Sequence, residues 1–298
     1  MATIQRTNQK GSEKQNMKKV NSHTQKRRTV MAALLALLFS LSIFSSFAVT
    51  ASAGVLDAWL PFELDNSLTS GAGSLTGNSG VHHTGYIADV SKFQGAVNFS
   101  QMRNAGVEGV MIRAAYANKK DIKFDEYTAG ADSANLPYGS YQFATFQYGT
   151  DYSTALSKAD TQAHTFINIL RGKNVRGFVA LDLELESGAT VVMSKSELTN
   201  CVNYYLSLIE NAGYKPILYC SISWLCNRLN ESAIQYPLWV AYYNDTGSFE
   251  FPNTTYGDAM RSFADDIYMW QYTSKANGPN YGCESQNLDM SRLYRSFI

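Results

Sequence analysis

Two carboxylates stand two residues apart in Leu181-Asp182-Leu183-Glu184, directly after the apolar run Gly177-Phe178-Val179-Ala180. In an extended chain residues i and i+2 point to the same side, so Asp182 and Glu184 would share one face where a strand runs out. Like-charged neighbours at that range hold one proton more readily than none. Such a pair suits acid catalysis on an acetal, in which a protonated carboxyl gives its proton to the leaving oxygen while a second group stabilises the oxocarbenium-like centre. Taken alone, the D-x-E pattern also fits a strand end with two solvated acids, so the surrounding chain has to decide.

The elements that would position this pair are legible as a series. Apolar, β-branched or aromatic runs of strand length occur at 85–90, 109–114, 139–144, 178–183, 216–220, 238–243, 267–272 and 287–293. Segments with helical punctuation or period follow the first five, at 99–105, 125–134, 153–170, 195–212 and 221–229. Alternating strand and helix argues for βαβ units around a parallel sheet. The last third differs: 244–266 is rich in Asn, Thr, Gly and Phe without a helical period, and 273–286 contains Gly278-Pro279 and Gly282, so loops are expected to join the last three strands. The expected fold is α/β, a TIM-barrel-like (β/α)5β3 barrel in a single domain, with an open doubly wound sheet as the structural competitor.

In such barrels chemistry sits at the C-terminal ends of the strands. Asp89 lies near the end of the first run and Asp289 in the eighth, and closure would make those two runs neighbours. Asp89 and Asp289 would then meet on one wall, with Asp182 and Glu184 across the mouth. Aromatic residues recur at the same rim: Tyr141 with Phe143, Trp239 with Tyr243, and Trp270 with Tyr272 each share a strand face by alternation. Flat side chains beside carboxylates suit the apolar C–H faces of sugar rings; packing in the core is the other use for such residues.

Composition bounds the setting. A basic lead with Lys18, Lys19, Lys26, Arg27 and Arg28 precedes an apolar run at 30–49, and Ala51-Ser52-Ala53 offers a small-residue cleavage pattern. Residues 1–53 are therefore expected to be a signal peptide, and the Ser/Thr/Gly-rich stretch within 54–84 a flexible linker. Eight of the 25 Lys and Arg but one of the 25 acids lie in that leader, so the remainder carries 17 basic and 24 acidic residues, a net charge of −7. An acidic chain without a basic run has little to attract nucleic acid. Cys201, Cys220, Cys226 and Cys283 permit up to two disulfides in an exported protein, and neither they nor His82, His83 and His164 have metal-site spacing.

From Gly85 to Ile298 the sequence resembles glycoside hydrolase family 25, the Chalaropsis-type lysozymes or N-acetylmuramidases. The resemblance rests on an ordered set of short pieces: Asp89-Val90-Ser91 with Gln94-Gly95, Ala105-Gly106-Val107, Gly139-Ser140-Tyr141-Gln142-Phe143, Leu181-Asp182-Leu183-Glu184, Leu238-Trp239-Val240-Ala241-Tyr242-Tyr243, Trp270-Gln271-Tyr272-Thr273 and Leu288-Asp289. It implies a five-helix, eight-strand barrel, cleavage of the β-1,4 bond between N-acetylmuramic acid and N-acetylglucosamine in peptidoglycan glycan strands, and neither cofactor nor metal. By position it makes Glu184 the general acid and Asp182 its partner, as nucleophile or as the group orienting the substrate's acetamide. Asp89 and Asp289 become electrostatic and hydrogen-bonding members, and the six aromatic residues candidates for substrate contact. Two departures stand out: Gln142 where the family commonly has His, and Arg113 where Lys is common, both expected to alter contacts with sugar. The mature protein is expected outside the cell at the wall, not in the membrane. A chitinase-like glycosidase and a non-catalytic wall-binding barrel are the alternatives.

Overall fold

Strands that are apolar on both faces need cover on both, and a closed barrel with an outer jacket supplies it. The computed structural model describes residues 85–298. The expected signal peptide and linker lie outside the described residues. Eight strands close in the order β1 (Gly85–Val90), β9 (Asn287–Leu293), β8 (Ile267–Asn277), β7 (Leu238–Ala241), β6 (Lys215–Ser221), β5 (Phe178–Asp182), β4 (Tyr138–Phe143) and β2 (Val107–Tyr116), with β2 pairing back onto β1. A two-residue strand, β3 (Lys119–Lys120), adds a hairpin to the tip of β2. All neighbours in the barrel run parallel except β9, which is antiparallel to both β8 and β1. The physical reason is reach. Nine residues, 278–286, join β8 to β9, fewer than the dozen or more a parallel crossover requires.

Alternation divides the apolar residues into two cores. Along β5, Phe178, Ala180 and Asp182 face inward while Val179, Leu181 and Leu183 face the jacket. The inner core stacks Ile87, Met111, Phe178, Ile217, Trp239, Met269 and Leu293 in the barrel. Five helices cover the outside: α1 (Phe99–Asn104), α2 (Phe124–Ser133), α3 (Tyr152–Leu170), α4 (Lys195–Asn211) and α5 (Ile222–Arg228). Polar residues start them, as when Asp151 accepts from the Thr154 amide or Ser194 and Glu197 form a reciprocal capping box.

The stretch between β7 and β8 departs from the expected loop. It contains α6 (Thr255–Ser262), capped by Thr254, whose hydroxyl accepts from the Gly257 amide. Gly257 in the first turn weakens the helical period of the segment. A Cβ there would lie 1.7 Å from the Pro252 carbonyl oxygen, so close packing requires the glycine.

On the outer side of β8 and β1 the loop before α6 contributes Phe249 and Phe251, which pack on Tyr86, Trp270 and Tyr294. Arg292, 2% exposed, lies among these rings, its guanidinium 4.0 Å from the Tyr272 ring centre and 4.8 Å from that of Trp270, and it pairs with Asp245.

Candidate active site

The seven parallel strands end on one side of the barrel, and a cavity of about 200 Å³ opens there. Asp182 occupies the last position of β5, buried and facing inward. Leu183 turns out into the jacket, and Glu184 follows beyond the strand end, half-buried at the cavity. Its backbone is held from the neighbouring loop: the Glu184 carbonyl accepts from Gln147 Nε2 at 2.8 Å and from the Tyr148 hydroxyl at 3.0 Å. Asp89 and Asp289 are direct partners in the β1–β9 register and line the same cavity. The structure thus brings the four acids Asp89, Asp182, Glu184 and Asp289 together.

All four carboxyls are pushed toward the protonated form. Burial raises Asp89 well above the usual carboxylate range, and the nearby Asp289 charge adds to it. Burial likewise raises Asp182 well above that range, reinforced by Glu184 and Asp89 and opposed by Arg113. Glu184 is raised mainly by burial, and Asp289 is pushed up to about 6 for the same reason. Glu184 is a like-charged neighbour of Asp182, as Asp289 is of Asp89, and each such pair holds one proton more readily than none. Arg113 is the one cation lining the cavity among the described residues, and its Nε is paired with Asp121 Oδ2 at 2.8 Å.

Of the six aromatic residues expected to meet substrate, Tyr141, Phe143 and Trp239 line the cavity. Trp239 is fixed by its Nε1 donating to Ser291 Oγ at 2.9 Å and by an edge contact with Tyr141. Tyr243 stands at the lip, 57% exposed, and donates to Gln271 Oε1 at 2.9 Å. Trp270 and Tyr272 are a correction. Both face the outer side of β8 and pack in the aromatic cluster around Arg292. The residue between them, Gln271, faces the cavity instead.

Gln142 is a second correction. It points into the jacket, where Nε2 donates to the Ala117 carbonyl at 2.7 Å and Oε1 accepts from the Tyr205 hydroxyl, so it steadies the β2–β3 turn rather than a sugar contact. Ala117 has a φ of 48°, a conformation that gains from such outside support. Three cavity residues were missed from sequence. Phe93, 68% exposed, lies over Arg113 at 5.1 Å, and an aromatic residue four positions after Asp89 in the first strand-to-helix loop was the available signal. Gln271 and Tyr219 would have needed the correct parity of β8 and β6. The four cysteines are free thiols, three of them buried. Among the described residues no group of three or more His, Cys, Asp or Glu is arranged to hold a metal ion, and no helix is long and apolar enough to cross a membrane.

A barrel with carboxyls raised at the C-terminal rim of its parallel strands, beside flat aromatic walls, suits the chemistry of glycoside hydrolases. The particular family follows from comparison: the family model of glycosyl hydrolases family 25 matches residues 88–281, and the chain belongs to that family. A protein of Streptococcus phage B30 named D-alanyl-L-alanine endopeptidase is 28% identical over 73% of this chain and 45% of its own length. The autolytic lysozyme of Clostridium acetobutylicum is 25% identical over 52% of this chain and 44% of its own. The chain spans about half the length of these curated relatives. Among solved structures, the CTP1L endolysin superposes with a TM-score of 0.57 at 26% identity, covering 72% of this chain and 68% of that one.

Proposed function

We propose that this protein is a muramidase that hydrolyses the β-1,4 bond between N-acetylmuramic acid and N-acetylglucosamine in peptidoglycan. The observation that carries the reading is the set of four carboxyls sharing one half-open cavity, each raised toward its acid form, beside Tyr141, Phe143 and Trp239. The lysozyme name of the clostridial relative supports the choice of glycan over other polysaccharides.

Glu184 is the general acid. It is the outer member of its pair, and a carboxyl held toward its acid form there can protonate the leaving oxygen. Asp182, buried and lining the same cavity, is its partner, acting as nucleophile or as the group that orients the substrate's own acetamide for attack. Asp89 and Asp289 stabilise the positive charge that develops on the sugar as the bond breaks. We further propose that residues 1–53 direct export and are removed, with 54–84 as a tether to a catalytic domain at 85–298 and action at the cell wall.

Digestion of purified peptidoglycan, followed by reduction and mass analysis of the new ends, tests the bond assignment. New reducing ends at N-acetylmuramic acid are expected. Reducing ends at N-acetylglucosamine, or binding without new ends, would contradict it.

A further inference from the structure

Arg113 follows Met111 on the inward face of β2, two residues nearer the rim, and lines the active-site cavity while only 8% exposed. Its guanidinium is held on two sides. The Nε edge donates to Asp121 Oδ2 at 2.8 Å, and the Asp121 side chain, 1% exposed, is itself fixed by the backbone amides of Lys92 at 3.2 Å and Lys123 at 2.9 Å. The Phe93 ring centre lies 5.1 Å from Arg113 Cζ. Among the described residues neither Nη has a hydrogen-bond partner, so that edge of the fork is left to the cavity. A guanidinium does not shed its charge in a protein, and its paired N–H groups match the two oxygens of a carboxylate. A cation fixed in this way, with its remaining donors unused, is prepared for an anion that arrives with the ligand.

The glycan read above offers few anions, and the cavity selects among them. It encloses about 200 Å³ with Arg113 in its wall, so the charge that reaches Arg113 must sit on a short arm of the sugar ring. The acetamide is neutral. The carboxylates of a stem peptide lie many bonds from the ring, behind a chain that would have to fill the cavity first. The lactyl ether of muramic acid ends in a carboxyl close to the ring, and that carboxyl is ionised only where no peptide is joined to it, because attachment makes it a neutral amide. We propose that Arg113 is a specificity-determining residue that receives the free lactyl carboxylate of muramic acid, so that the enzyme prefers glycan strands stripped of their stem peptides. The inference rests on the glycan substrate proposed above. It also places the reaction in a sequence: hydrolysis of the lactyl–peptide amide comes first, water giving its hydroxyl to the lactyl carbonyl and a proton to the peptide nitrogen. Asp89, Asp182, Glu184 and Asp289 face the same space, and each is held toward its neutral form, which limits their repulsion of the entering anion.

The test compares kcat/KM of the full-length protein on three preparations of one glycan: strands freed of stem peptides, the same strands with their lactyl carboxylates converted to methylamides, and strands that keep their peptides. Wild type is expected to favour the free carboxylate over the methylamide by about tenfold or more, the size of one charge-assisted pair, with peptide-bearing strands no better than the methylamide. Arg113→Met should lower the rate on the free form far more than on the methylamide and collapse that ratio, while Arg113→Lys, which keeps the charge and loses the fork, should fall between. Equal rates on the free and methylamide forms in wild type would overturn the proposal. So would an equal loss on both forms in Arg113→Met, the result of a structural role or of an effect on the acids alone. A preference for peptide-bearing strands over both would overturn it as well, by placing the recognised anion on the peptide. The wild-type comparison needs no variant and decides the matter even if Arg113→Met fails to fold. Should no preparation yield reducing ends, the muramidase reading falls, and calorimetric Kd values for free and methylamide oligosaccharides judge Arg113 separately: tighter binding of the free form supports the site, and equal binding overturns it.

Discussion

β5 and β8 carry the same alternation with opposite parity. At the end of β5 the acids Asp182 and Glu184 turn to the cavity and Leu183 turns out. On β8 the large aromatic residues Trp270 and Tyr272 turn out and the polar Gln271 turns in. What differs is the outer cover. Helices pack on β5 and accept aliphatic side chains, whereas on the outer face of β8 a loop supplies Phe249 and Phe251, with the buried Arg292 of β9 among the rings. An aromatic residue near an active-site rim is therefore a substrate wall or a core wall according to which face the strand gives it, and its type alone does not say which.

The comparison can be broken in several ways, beginning with the largest effect. Asp182→Asn removes the partner of the acid from the inward face of β5, and turnover on peptidoglycan is expected to fall by about 10²-fold or more with the melting temperature maintained or raised. A loss of stability in place of turnover would put Asp182 on the structural side. On β8 the expectation reverses. Trp270→Ala should cost about 3–5 kcal/mol in denaturant unfolding, typical for a buried aromatic residue, with KM for the remaining folded enzyme unchanged. A raised KM at full stability would return Trp270 to the substrate wall. Phe93→Ala, at an exposed cavity position, should raise KM about fivefold, the equivalent of ~1 kcal/mol of ring contact, with no change in melting temperature.

The smallest effect is on stability against pH. An acid raised in the folded state binds more protons there than when unfolded, so stability falls as pH rises between its two pKa values. For Asp289 that window runs from the model-peptide range near 4 up to about 6, and Asp89, Asp182 and Glu184 act in the same direction. The melting temperature is expected to be higher at pH 5 than at pH 7, and Asp289→Asn should narrow that difference. A melting temperature that climbs from pH 5 to pH 7 would mean the acids are not held toward their neutral forms.

Much of this was legible because burial on both faces writes itself into the chain as continuous apolar runs, and because acids at the ends of such runs stand out. Asp89, Asp182, Glu184 and Asp289 were found that way. The two-sided burial that reveals a strand also hides its parity, since a run apolar on both faces gives no mark of which is inside. Hence Trp270 and Tyr272 were assigned to the wrong face and Gln271 was overlooked, although it lay in the same quoted motif. Gln142 was misjudged for the same reason: Tyr141 and Phe143 face inward, so the residue between them faces out. Helix α6 was missed because Gly257, demanded by the Pro252 carbonyl, weakens its local signal.

The most direct test of acid donation by Glu184 varies the leaving group. Wild type and Glu184→Gln are compared on a native glycan and on an aryl glycoside whose phenolate departs without protonation. A loss of about 10²-fold or more is expected on the glycan, with most of the rate retained on the activated glycoside. Equal losses on both substrates would contradict the assignment, because a residue whose removal hurts equally when no proton is needed is not the one that gives it.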